Sequence, residues 1–459
     1  MRAFDPQLAE IRFGYGLSPE VTPPDSVDAM LDALRTPDAM ADTFPVEPFE
    51  TFRLRMIEVA KAAKIRRQNR GTPKAEAAKK QRNLLNAAAR RDGLRWAGHL
   101  LLRRVWSPHA FRERLTAFWA DHFTAHGKAG VIRRATSPYI EEAIRPHIAG
   151  RFEDMLQDAV THPLMLHYLD QAQSMGPASE RAKRKRKGLN ENLAREVLEL
   201  HTLGVNGPYT QTDVRELAEL FTGLSFEPYD GFVFRADFVE PGSETVLGQT
   251  YADAADIAPI RAVLSDLAKH PATAAHLARK LAVHFVSDTP EPSLVQALEA
   301  AYRDTDGDLM ALYTVLLDHP LAWAPELRNM KPPQDFMSSS LRSLAVPERL
   351  LMRFNERKMR NVLARPLTEM GQQWERPIGP DGWPEEDAHW ITPQGLAGRV
   401  AWAMDAPEYI LRVLPDPRRF VETALGTRAD EAVRFAAAAA ESRSEAIGLV
   451  LMSPAFQRR

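Results

Sequence analysis

Apolar side chains recur at helical spacing along nearly the whole chain, and this periodicity limits the fold more than any other feature. A clear case follows Asp25 and Ser26, which are suited to cap a helix. The apolar positions of that helix are Val27, Met30, Leu31 and Leu34. The sequence therefore predicts an all-α fold class, with many helices in one body and little else.

Further helices are expected along the chain, and Gly71-Thr72-Pro73 separates two long ones. The expected segments are 48–70, 74–105, 108–126, 137–149, 151–173, 190–203, 210–223, 255–268, 271–286, 291–303, 307–318, 333–344, 347–358, 393–413 and 416–452. We expect the C-terminal helices to break at their prolines.

One short region departs from the helical pattern. Phe232, Phe234, Ala236 and Phe238 alternate with other residues, a period of two that is typical of a strand. A Pro-Gly-Ser turn at 241–243 follows, so the sequence predicts one small β-hairpin near 232–250. We expect residues 1–459 to form a single domain. A basic loop at 175–189 and a Trp/Pro/Gly-rich loop at 372–393 are interpreted as insertions in it.

Composition excludes several kinds of chemistry. The chain has no cysteine, so disulfides, thiolate metal sites and cysteine nucleophiles are excluded. A net charge of −2 gives no case for nucleic-acid binding, and no apolar stretch is long enough to span a membrane. The first 20 residues lack the apolar core of a signal peptide, which favours a cytoplasmic location.

The helix expected at 190–203 carries the main candidate site. Asn192, Arg195, Glu196 and Glu199 fall on one face, because positions three, four and seven apart are neighbours. Glu196 and Glu199 suit a shared divalent metal or a division of acid and base roles. Alternatively, Arg195 and Glu199 form an ordinary ion pair on a solvated face.

His201 lies about 200° around the helix from Glu199, so the two cannot easily bind one ion. It is either a buried histidine bonded to a backbone carbonyl or to Tyr168, or it meets His122 or Asp121 from another helix.

Two further candidates are near the helix of 108–126 and the segment 165–170. His122 and His126 have the spacing of two imidazole ligands for one metal, with helix capping or core packing as the alternative. Asp170 either completes a cluster around Glu196 or is a helix-end carboxylate held by a nearby positive charge. We expect the segments 114–126, 165–170 and 190–203 to meet.

The run Arg181–Lys187 precedes the 190–203 helix and suits an anion site formed with Lys185, Arg186 and Arg195. A merely solvated charge run is the alternative. Trp374, Trp383 and Trp390 form either a stacking platform or lid, or anchors that hold their loop to the core.

Several blocks in the same order resemble the bacterial domain of unknown function 1800 family, over essentially the full length. These blocks are Arg12–Pro19, Arg114–Phe123, Met165–Asp170, Asn190–Val214, Thr245–Thr250, His270–Val286, Lys331–Leu344 and Gly379–Trp390. Many relatives carry a sequence similar to "HDxGxK" before the "TVLG" turn. This chain has Val239, Glu240, Gly242 and Glu244 there instead. No role of that histidine or lysine is carried over.

The resemblance implies a helical bacterial protein and transfers no reaction. It also implies a partner, a secreted sulfatase- or phosphatase-like protein encoded nearby; the alternative to a cytoplasmic location is export to the periplasm together with that partner. Two functions are therefore weighed, beside a third, a carbohydrate- or polyanion-binding module, that rests only on the tryptophans and the basic loop. One is an acid/base or metal-assisted hydrolytic enzyme, with a divalent metal as its cofactor; its residues would be Glu196, Glu199, Asp170, His122 and His201. The other is a non-catalytic accessory protein for that partner.

Overall fold

A computed structural model describes residues 4–185 and 188–459, and its fold is mainly helical, as the periodicity predicts. The α-helices are Pro6–Leu8, Val27–Arg35, Ala39–Thr43, Phe49–Gln68, Pro73–Trp106, Ala110–His122, Thr136–Tyr139, Phe152–Thr161, Pro163–Tyr168, Glu180–Lys185, Asn192–Glu196, Gln211–Leu220, Ala258–Lys269, Pro271–Phe285, Pro292–Asp304, Leu309–Asp318, Pro333–Ser343, Glu348–Met352, Glu356–Met359, Arg365–Glu369, Asp387–Trp390, Pro393–Ile410, Pro417–Leu425, Glu431–Ala439, Arg443–Met452 and Pro454–Gln457. In this part of the chain no helix has the length and apolarity that crossing a bilayer requires.

Short 3-10 and π turns extend or join these helices. The 3-10 turns are Val131–Arg134, Arg145–His147, Gln171–Gln173, Ala236–Phe238, Pro320–Trp323 and Gly426–Arg428. The π segments are Ala9–Phe13, Ile140–Ile144, Val197–Thr202 and Arg360–Ala364. The predicted 190–203 helix is therefore an α-turn over Asn192–Glu196 that continues as a π segment. Such π turns inside helices are frequent at functional sites.

Two long antiparallel helices, Phe49–Gln68 and Pro73–Trp106, form a hairpin. Gly71 has a φ of 78° at the turn, and the Thr72 hydroxyl accepts a hydrogen bond from the Ala75 amide. Most side chains near the turn are exposed. The base of the second helix is buried, where Trp96 joins one hydrophobic cluster and Leu102 joins another. This helix therefore connects the two clusters.

Proline splits one predicted helix. The segment 151–173 is not continuous, because His162 is extended (ψ 136°) before Pro163, a conformation that proline imposes on the residue preceding it. A new helix then starts at Pro163, where the His162 ring accepts a hydrogen bond from the Leu164 amide. In 416–452 the breaks come at Gly426 and before Ser442 rather than at prolines.

The strand pairing differs from the predicted hairpin. Leu224–Glu227 pairs with Gly231–Phe234, and Thr245–Val246 pairs with Gln249–Thr250, both antiparallel. The strand that the period-two pattern predicts ends at Phe234, and Ala236–Phe238 forms a 3-10 turn instead. Each strand thus pairs across its nearest turn, which needs less loop closure than pairing across 235–244. The basic loop at 175–189 also contains the short helix Glu180–Lys185.

Candidate functional site

His122, at the end of the Ala110–His122 helix, meets the 190–203 segment, and the 165–170 segment contacts both Asn190 and His126. The His122 Nε2 lies 3.1 Å from the His201 carbonyl oxygen and donates to it. Its Nδ1 lies 3.2 Å from the Lys280 ammonium, which donates in turn. The Asn190 side-chain Nδ2 donates to the Leu169 carbonyl at 3.0 Å. The prediction that 114–126, 165–170 and 190–203 come together is confirmed.

His201 is fully buried, and within the described chain neither ring nitrogen has a hydrogen-bond partner. Burial, with the charge of Lys280, lowers its pKa to about 3, so the ring is neutral. Its ring centre lies 6.1 Å from that of His122 and 5.0 Å from that of Phe123. Of the two interpretations, the meeting with His122 is confirmed, as a packing contact. A bond to Tyr168 is not present.

Asp121, the neighbour of His122, is held by the loop 379–385. Both of its carboxylate oxygens accept from the Trp383 amide, at 3.0 and 3.1 Å. Gly382 makes this approach possible, because a Cβ there would lie 2.5 Å from the Asp121 Oδ2. Burial and the nearby charge of Glu385 raise the pKa of Asp121 to about 7. Asp121 is therefore about half protonated at neutral pH.

Glu385, in the same loop, is in the opposite state. Its Oε1 lies 2.7 Å from the Nδ1 of His284, which donates to it, and the Arg459 guanidinium lies 3.8 Å from its Oε2. Burial favours the protonated form, but the His284 bond and the charges of Arg459 and Lys280 hold the pKa of Glu385 below its ordinary value. Glu385 is therefore ionised at neutral pH.

Asp121, His284 and Glu385 line one cavity of about 150 Å³. Arg114 and Asp335 form a buried ion pair in its wall. Burial opposes ionisation of Asp335, yet the charges of Arg114 and Arg459 hold its pKa well below the usual range. Of the carboxyl groups that line this cavity, Asp121 and Glu375 have pKa values raised to about 7, whereas the pKa values of Glu385 and Asp335 are held below their ordinary range.

Glu196 and Glu199 lie on the polar helix face, outside this cavity. Arg195 lies 3.3 Å from Glu199 and 3.3 Å from Glu191, so the ordinary ion pair is present. Glu196 is half-buried; burial and the charges of Glu199 and Asp381 raise its pKa to about 7. Burial, Glu196 and Asp381 also raise the pKa of Tyr168 to about 12. The charge of Asp381, in the loop 379–385, therefore acts on both Glu196 and Tyr168.

The other expected ligands are dispersed. The Asp170 carboxylate lies 2.6 Å from the Lys128 ammonium, which agrees with the helix-end interpretation. The Ala110–His122 helix ends before His126, whose ring packs 4.6 Å from that of Tyr168, so His122 and His126 do not share a helical face. Over 4–185 and 188–459, no three His, Asp or Glu side chains are grouped so as to hold a metal ion.

The structure does not bring together the three residues of the expected anion site. Arg186 lies outside the described residues, Lys185 ends the short helix Glu180–Lys185, and Arg195 is engaged in its two ion pairs. Trp390 anchors its loop, because its indole is 2% exposed and donates to the Pro384 carbonyl at 3.0 Å. Trp383 packs 6.1 Å from Trp390 and lines the cavity.

Sequence reasoning missed Lys280, Glu385 and Asp381. A signal was present for the first, because His276, Lys280 and His284 recur at i, i+4 and i+8 on the helix Pro271–Phe285 and so share one face. Burial lowers the pKa of both histidines to about 4 and lowers that of Lys280. For Glu385 and Asp381, the sequence offered only their position in the block Gly379–Trp390, which resembles the family, and no spacing that indicates a site.

The buried neutral histidine makes stability depend on pH. The pKa of His201 is lowered from 6.5 to about 3 in the folded chain. Between these pH values His201 therefore binds a proton in the unfolded chain but stays neutral in the folded chain. Its stabilising contribution is complete above pH 6.5 and is lost as the pH falls toward 3. We expect the free energy of unfolding of His201→Leu to rise relative to that of the parent, by about 1.4 kcal/mol for each pH unit below 6.5.

Urea denaturation of parent and His201→Leu at pH 7.5 and 5.5 measures this difference. Other titrating groups are common to both chains and cancel. A difference in unfolding free energy that is the same at the two pH values would contradict a neutral His201.

Comparison with known proteins identifies a family but no activity. The family described as "Protein of unknown function (DUF1800)" has a model that matches residues 9–458. No curated protein and no solved structure matches the chain.

Proposed function

Since the chain belongs to the DUF1800 family, whose description assigns no reaction, we propose its function from the site: acid–base hydrolysis in the cavity lined by Asp121 and Glu385. The observation that carries this proposal is that two carboxyl groups of one cavity have pKa values shifted in opposite directions, upward for Asp121 and downward for Glu385. Environments that push two pKa values apart are how enzymes separate a general acid from a general base.

Protonated Asp121 is the proposed general acid. It donates its proton to the leaving group as the bond to that group breaks. Ionised Glu385, oriented by His284, takes a proton from the attacking water, whose oxygen forms the new bond. Atoms and charge balance, because one proton leaves Asp121 and one arrives on Glu385. A later exchange with solvent restores both groups.

The polar helix face has a supporting part in this proposal. Asp381 acts electrostatically on both Glu196 and Asp121. Glu196, with a pKa of about 7, exchanges protons with solvent at neutral pH. We assign it to restoring the proton on Asp121. The sulfatase- or phosphatase-like partner that the family resemblance implies remains a proposal, tested by co-purification from cells that carry both genes.

The first test needs no substrate. In protein labelled with ¹³C at the aspartate carboxyl carbon, we expect one signal to titrate near pH 7 and to disappear in Asp121→Asn. An Asp121 signal that titrates near pH 4 would remove the general acid and overturn the proposal.

The second test is a screen with chromogenic glycosides and acyl, phosphate and sulfate esters. A substrate that is turned over should show a bell-shaped pH–rate profile, with its basic limb near pH 7. We expect Asp121→Asn and Glu385→Gln each to lower kcat by about 10²- to 10⁴-fold. Glu76→Gln, on the exposed hairpin, is the matched carboxylate-to-amide control and should not change kcat.

A further inference from the structure

A second, larger cavity of about 460 Å³ adjoins the first. It lies between the helix Pro73–Trp106, the turn Val131–Arg134 and the segment Glu356–Glu369. Thr136, Gln334, Trp374 and Glu375 line both cavities and separate them. The volume falls in the range of about 300–1,000 Å³ that is usual for small-molecule sites.

The floor of this cavity is apolar. Its side chains come from four helical segments and form one continuous lining: Leu94, Ala97, Leu101, Met337, Met359 and Leu363. These atoms offer no hydrogen bonds, so the floor suits an aliphatic group, whose transfer from water is favoured in proportion to the apolar area buried.

The rim is positively charged. Five arginines and only two carboxylates line it; the arginines are Arg90, Arg133, Arg134, Arg360 and Arg376. The Arg90 guanidinium is paired with Glu356 at 2.7 Å. The remaining carboxylate, Glu375, accepts a hydrogen bond from the Ser137 hydroxyl, and burial raises its pKa to about 7. Glu375 therefore neutralises its neighbours only in part.

Two of the rim arginines are held in an unfavourable environment. Burial and the positive charge of Arg133 lower the pKa values of both Arg134 and Arg376. The Arg376 Nη2 is buried and has no hydrogen-bond partner among the described residues. A buried guanidinium nitrogen without an acceptor costs free energy that an anion at this position would recover.

We propose that this cavity binds an aliphatic chain that ends in an acid group, with the chain on the apolar floor and the acid group on Arg134 and Arg376. Carboxylate, phosphate and sulfate groups share the required chemistry, because each accepts the paired hydrogen bonds of a guanidinium. This inference does not rest on the acid–base proposal, since it concerns the larger cavity alone.

Isothermal titration of the full chain with decanoate, decyl phosphate and decyl sulfate, each below its micelle concentration, tests the proposal. We expect at least one acid amphiphile to bind with a Kd of about 10 µM, and decanol to bind at least about tenfold more weakly. The three acid arms distinguish the head groups. Equal affinity for decanol, or no binding of any acid amphiphile up to about 1 mM, would overturn the proposal.

Two variants locate the binding. Ala97→Phe fills the floor without creating a void and should abolish binding, while Arg376→Gln should weaken the acid amphiphile by about tenfold or more and leave decanol unchanged. Arg66→Gln, exposed on the helix Phe49–Gln68, is the control and should bind like the parent. Undiminished binding by both Ala97→Phe and Arg376→Gln, at parental unfolding temperatures, would place the ligand elsewhere and refute the assignment.

Discussion

We expect Arg342→Ala to destabilise the protein by about 5 kcal/mol, a large fraction of the stability of a typical folded protein. The Arg342 guanidinium is fully buried and lies 2.8 Å from the Glu10 carboxylate. It also donates to four backbone carbonyls, those of Gly16, Arg104, Val105 and Ser107. Its loss leaves the buried Glu10 carboxyl and several carbonyl acceptors without their partner.

Urea denaturation followed by far-UV circular dichroism measures the loss. Arg342→Lys keeps the charge but not the planar array of donors, so we expect an intermediate loss. Arg353→Ala, at an exposed position, is the control and should stay within about 0.5 kcal/mol of the parent. An Arg342→Ala protein as stable as this control would show that the buried contacts of Arg342 with Glu10 and the four carbonyls do not stabilise the fold.

The second large effect is expected at Gly382, where a side chain meets two obstacles. Its φ is +81°, a conformation that L-residues rarely adopt, and the added Cβ would lie 2.7 Å from the Asp121 Cγ and backbone oxygen. We expect Gly382→Ala to cost about 3 kcal/mol and to separate the loop 379–385 from Asp121. Hydrogen exchange at the Trp383 amide, which donates to Asp121, should become faster.

Gly371→Ala is the matched control. Gly371 has a φ of +96°, but no atom lies within 4 Å of an added Cβ, so only the backbone strain remains. We expect a cost of about 1 kcal/mol and unchanged exchange at Trp383. If Gly382→Ala and Gly371→Ala have equal effects, the contact with Asp121 is not what fixes the loop.

Local sequence patterns predicted the helices well because helix formation follows from near neighbours. The hairpin helices of 48–70 and 74–105 agree with Phe49–Gln68 and Pro73–Trp106, and Ser26 caps its helix as expected. The errors occur where two local signals compete, as at His162, where apolar periodicity runs through a proline that ends the helix. The strand near Phe232 was expected, but its partner was not, because pairing depends on contacts that periodicity does not encode.

The candidate site was predicted less completely. The meeting of His122 with His201 was anticipated as one alternative, since both lie on helices with family-like blocks. The acid–base pair was not, because Asp121 and Glu385 are far apart in sequence and become neighbours only when the loop 379–385 docks. A pKa near 7 for Asp121 arises from burial in the folded chain, and no spacing of residues in the sequence reports it.

The helical hairpin also divides the charge of the molecule. Residues 57–91 contain eleven Lys and Arg but two Glu, so this segment is nine charges positive; since the whole chain is −2, the remainder is eleven charges negative. Such a molecule is strongly dipolar and turns in an electric field before any contact forms. An anionic surface therefore meets the hairpin tip first. This orientation fades as salt shortens the screening length, which is about 8 Å at 0.15 M.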